Sequence, residues 1–60
     1  MQPESPTHPL LALLQVAPHS SEALARACGW SLARVLASLT ELELEGRVAN
    51  DGGRWLARLG

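Results

Sequence analysis

Few side chains in this chain of 60 residues can do chemistry, and their spacing narrows what that chemistry is. His8, His19 and Cys28 are the soft candidate ligands, yet none repeats at the C-x2-C or H-x3-H spacing that brings two ligands to one metal ion. They are expected to be two solvated loop histidines and a small core cysteine at a helix end. Ser20, Ser21 and Ser31 each precede a helical pattern, where a hydroxyl accepts from an otherwise unpaired backbone N–H. They read as caps, not nucleophiles. Gly52-Gly53 precedes no helix and so forms no phosphate cradle. No catalytic residue, metal site or cofactor is expected, and the chain reads as a non-enzyme. What remains is charge. Arg34, Arg47, Arg54 and Arg58 are candidates for DNA contact, with Ser38 as a further hydrogen-bonding candidate.

Those residues need elements to hold them, and the stretch from Ser20 to Gly46 supplies the main ones. A short helix over 21–28 starts at the serines, carries Leu24, Ala27 and Cys28 on one stripe, and stops at Gly29. Ser31 opens a second helix over 32–45, with Trp30 and Val35 spaced for a hydrophobic staple. Along it Leu32, Val35, Leu36, Leu39 and Leu42 recur at helical spacing and predict one apolar face. Two helices across a Gly-containing turn form the pattern of a helix-turn-helix. Its exposed side is expected to carry Ala33, Arg34, Ala37, Ser38 and Glu41.

Ahead of this motif, residues 1–8 are expected to be a linker, with two prolines and no apolar period. Pro9 then suits the first turn of a helix over 9–17, capped by Thr7 or His8, with Leu10, Leu11, Leu13 and Leu14 giving a wide apolar face. After the motif, Asn50-Asp51-Gly52-Gly53 is a concentrated turn signal between two short extended pieces. Trp55, Ala57 and Leu59 alternate with Arg54, Leu56 and Arg58, so only one of the two sets can face the core. With Trp55 inward, Arg54 and Arg58 face out. Three helices and a hairpin predict a mainly α fold with a small β-hairpin, a winged helix-turn-helix spanning 9–60.

Composition sets limits on this domain. A chain this short buries about 60% of its unfolded surface, so its stability is modest. Its net charge of −1 is not the basic footprint of an ordinary DNA-binding domain. One cysteine allows no internal disulfide and points to a reducing compartment. No apolar run approaches 18 residues and no signal segment is read, so a cytoplasmic location without membrane contact is expected.

The run LLALLQVAPHSSEALARACGWSLARVLASLTELELEGRVANDGGRW resembles the C-terminal winged-helix domain of the DprA (Smf) family of bacterial DNA-processing proteins. The resemblance rests on the Pro-Leu-Leu opening, the Ser-x-x-x-Leu-Ala start of the second helix and the Gly-Trp-Ser-Leu turn. The Leu42-Glu43-Leu44-Glu45-Gly46 exit and the Gly-Gly-Arg-Trp wing complete it. It implies a module of a longer protein acting in natural transformation and DNA recombination. In such proteins a larger Rossmann-like domain binds single-stranded DNA, dimerises and helps load RecA.

Two functions of different kinds follow for the module itself. The fold and the wing arginines favour weak, sequence-independent DNA contact. Glu41, Glu43 and Glu45 oppose it, because DNA carries a phosphate charge about every 1.7 Å of its axis. The alternative is a protein-interaction or dimerisation domain, contacting other domains of the parent protein or a protein partner. Leu11, Leu44 and Leu56 are its candidate surface, since each is expected to fall off the main apolar stripes.

Overall fold

A computed structural model of the chain describes residues 8–58; residues 1–7 of the expected linker over 1–8, together with Leu59 and Gly60, lie outside the described residues. Helices α1 (Pro9–Val16), α2 (Ser21–Cys28) and α3 (Leu32–Leu44) are followed by strands β1 (Val48–Asp51) and β2 (Arg54–Ala57). This is the winged-helix order that the sequence predicts.

Local chemistry sets the element boundaries. The His8 ring caps α1, its Nδ1 accepting from the Leu10 N–H at 3.2 Å, and Pro9 fills the first helical position. Ala17 is extended, with φ −167° and ψ 157°, as a residue preceding proline prefers, so α1 ends there. Ser20 caps α2 by accepting from the Ala23 N–H, and Ser31 caps α3 by accepting from the Arg34 N–H, both at 3.1 Å. Between the two helices Gly29 takes the left-handed conformation, φ 69°, which a residue with a Cβ adopts only at a cost.

Strands β1 and β2 pair antiparallel, Val48 with Ala57, Ala49 with Leu56, Asn50 with Trp55 and Asp51 with Arg54. Gly52 and Gly53, at φ 62° and 88°, make the two-residue turn between them. One addition lies beyond the hairpin. The His19 N–H donates to Trp55 O at 3.0 Å and the Trp55 N–H to His19 O at 2.7 Å, bridging the α1–α2 connection to the free side of β2. His19, expected in a solvated loop, is instead half-buried, and its Nδ1 lies 2.7 Å from Ala17 O. Strand β2 is thus paired on both sides at Trp55, and β1 is the exposed edge.

The core is Leu10, Leu11, Leu14, Leu24, Val35, Leu39, Leu42 and Val48, with Leu13, Cys28, Trp30, Trp55 and Ala57 packed at its margin. Two expectations are corrected here. Leu11 is buried, at 8% exposure, and contributes nothing to a surface patch, because α1 is flanked by both α2 and β2. Leu32 and Leu36 do not belong to the core face of α3. Each keeps 42% of its surface exposed, since only the narrower stripe of Val35, Leu39 and Leu42 is covered.

Candidate functional site

The arginines separate into two groups. Arg34, one turn into α3, lays its guanidinium over the Trp30 ring, 3.8 Å from the ring centroid. Cap geometry places both partners: Ser31 fixes the start of α3, and Trp30 lies against the core just before it. The His8 ring meets the same indole edge-on, with centroids 6.1 Å apart. Stacking a flat cation on an indole is worth about 0.5–1 kcal/mol at an exposed site. Arg34 is therefore biased toward this position while remaining exposed.

The second group lies on the hairpin. Register puts Val48, Ala57, Asn50 and Trp55 on one face, toward the core, and Ala49, Leu56, Asp51 and Arg54 on the other. The ladder continues one step past the strands, where the Arg58 N–H donates to Arg47 O at 2.8 Å. Arg47 and Arg58 therefore stand side by side on the outer face with Arg54, and all three are exposed. That outward placement matches the expectation for Arg54 and Arg58. Two of the charges are moderated locally: Arg47 Nε lies 3.5 Å from Glu45 Oε1, and Arg54 stands across the ladder from Asp51. The Arg47–Glu45 pair is more than half exposed on both sides, so it contributes at most about 1 kcal/mol.

The candidate partner leucines diverge as well. Leu44 is 83% exposed at the end of α3, Leu56 is half-buried on the outer hairpin face, and Leu11 is in the core. Ser38 is half-buried on the flank of α3. Among the described residues, no helix is long and apolar enough to cross a membrane.

A family model described as the DprA winged helix domain matches residues 1–54. The chain belongs to the DprA winged helix family. Neither the curated proteins nor the solved structures compared with it give a match. The domain is thus a DprA-type DNA-processing module, non-catalytic and accessory in kind.

In this DprA winged helix the middle of the outward face of α3 carries none of the arginine, lysine, asparagine or glutamine side chains that make bidentate contacts to bases. Ala33, Leu36, Ala37, Thr40 and Leu44 are all exposed there, and at about 100° per residue they fall within about 100° of one another. Glu41, Glu43 and Glu45 are exposed beside them. Reasoning from sequence placed Ala33 and Ala37 outward but missed Leu36 and Thr40. The signal was present as the i, i+4 row Leu36, Thr40, Leu44, which competes with the core stripe for Leu36.

Proposed function

We propose that this domain is a protein-interaction module of a DNA-processing protein, docking through the outer face of α3 instead of reading duplex DNA with it. The observation that carries this reading is the composition of that face, apolar along its length with carboxylates over its C-terminal half. In a major groove, Glu41, Glu43 and Glu45 would be pressed toward phosphates, and alanine offers no hydrogen bond to a base edge. Partners of this kind are other domains of the parent protein or a separate protein of the same process. By family resemblance that process is natural transformation and recombination, with RecA acting downstream of the full-length protein.

A second reading concerns the wing, and one observation favours it. Arg47, Arg54 and Arg58 share the outer hairpin face, and Arg47 lies 3.5 Å from Glu45 at the acidic end of α3. Three cations make a few phosphate contacts, so binding there is sequence-blind and no tighter than the roughly 10⁻⁴–10⁻⁶ M of non-specific association.

Titrating the 15N-labelled domain with short duplex and single-stranded DNA at two salt concentrations tests both. The expected result is small shifts at Arg47, Arg54 and Arg58 at low salt, lost at high salt and in the Arg54→Ala plus Arg58→Ala variant. Backbone signals of Ala33, Ala37 and Glu41 stay where they are. Saturable duplex-induced shifts along α3 would overturn the interaction reading.

A further inference from the structure

We infer that the outer face of α3 pairs with the same face of a second copy of this chain, the two helices running antiparallel about a two-fold axis at the level of Ser38. The inference rests on the protein-interaction reading above and names its partner.

The apolar ridge is continuous in spite of Thr40. The Thr40 hydroxyl donates back to Leu36 O at 2.9 Å, so its hydrogen-bonding need is met within the helix and its methyl remains for contact. Leu44, 83% exposed, is a large side chain with nothing of its own chain over it. At the other end of the same face stands Ala33, where a small side chain leaves room. An antiparallel arrangement sets Leu44 of each copy over Ala33 of the other, and Thr40 over Ala37. Large meets small at both ends, as close packing requires.

Charge fixes the direction. The helix is basic near its start, at Arg34, and acidic over its last turns, at Glu41 and Glu45. All three lie on one flank of the apolar face, within about 40° of each other on the helical wheel. Antiparallel pairing brings that flank against itself with the ends exchanged, so Arg34 faces Glu41 and Glu45 of the second copy. A parallel pair would oppose glutamates to glutamates. A wholly basic partner would meet Arg34, and a wholly acidic one would meet the carboxylates of Glu41 and Glu45. The segregated pattern is self-complementary, as an isologous contact must be. Arg34 remains exposed beside Trp30, so its N–H groups are open to carboxylates. One face of a 13-residue helix is smaller than the roughly 1,000 Å² of a stable interface, so the pair is weak and transient.

The test uses the 60-residue chain itself, without DNA, followed by NMR and sedimentation from low concentration to on the order of 1 mM. The expected result is concentration-dependent shifts at Ala33, Leu36, Ala37, Thr40 and Leu44, abolished in Leu44→Asp. That residue is exposed, so the variant keeps its fold, which its dilute spectrum verifies. Arg34→Glu and Glu41→Arg should each weaken association about tenfold, because each contact occurs twice across the axis. Mixing the two variants should restore it, since every 34–41 pair is then again of opposite sign. A chain that stays monomeric at the highest concentration overturns the pairing. So does association that survives Leu44→Asp, which would place it elsewhere, for example at the open edge of β1. Failure of the mixed variants to recover overturns the antiparallel geometry. None of these outcomes decides whether α3 binds DNA, which the titration above reads separately.

Discussion

Leu39→Ala and Leu36→Ala remove the same atoms from neighbouring turns of α3, yet the structure assigns them very different costs. Leu39 is fully buried, so truncation loses the transfer energy of its side chain and leaves a cavity, together about 3–5 kcal/mol. Leu36 keeps 42% of its surface exposed and its site opens to solvent. There the loss is only part of the roughly 1.5–3 kcal/mol for a fully buried leucine, with no enclosed void, or about 1 kcal/mol. A core of this size rarely supplies more than about 3–5 kcal/mol in total. Leu39→Ala should therefore be largely unfolded at 37 °C, whereas Leu36→Ala should melt cooperatively about 4–8 °C below the parent. Circular dichroism at the helical minimum, with heat and with urea, reads both. Equal losses in the two variants would refute the burial assignment, and so would a Leu39→Ala melt within a few degrees of the parent.

Two further outcomes follow from contacts outside the core. Trp55 Nε1 donates to Ser21 Oγ at 3.0 Å across 34 residues of chain, so Ser21→Ala should cost about 0.5–1.5 kcal/mol and move the Trp55 indole N–H resonance. In the wing turn Gly53 sits at φ 88°, and an added methyl would meet nothing within 4 Å. The penalty of Gly53→Ala is then purely conformational, about 1–2 kcal/mol, read as a lower urea midpoint with the α3 resonances unmoved.

Local signals made most of the fold legible in the sequence. Ser20, Ser31, Gly29 and the Gly52-Gly53 turn each act on their immediate neighbours, and each boundary they imply lies within a residue or so of the observed one. What depends on contact between distant elements was not legible. Leu11 is buried because α1 lies between α2 and β2, a fact about packing that helical period alone does not contain. The pairing of His19 with Trp55 joins single residues far apart in the chain, and no alternation marks so short a bridge. The five-residue apolar series on α3 was wider than the surface available to cover it. Helical spacing shows which residues share a side and leaves open how much of that side a small domain can enclose.

The surplus is what bears on function. Three of the five apolar residues in the series, Val35, Leu39 and Leu42, suffice to fix α3 against the core. Leu32 and Leu36 are left outside, and Leu36 shares with Leu44, Ala33, Ala37 and the Thr40 methyl about 100° of arc that folding does not use. Arginine, lysine, asparagine and glutamine are the side chains that make bidentate contacts to purine edges in a major groove, and this arc carries none of them. Here the one arginine on α3 is stacked on Trp30, and the arginine following the helix is within 3.5 Å of Glu45. Both cations have a neighbour within the chain, in exposed contacts worth about 1 kcal/mol or less each, while most of this surface is apolar. Burying exposed leucine against another protein is favourable, and setting it against phosphates and bases gains nothing comparable. On these terms the outer face of α3 favours the protein contact proposed above over base readout.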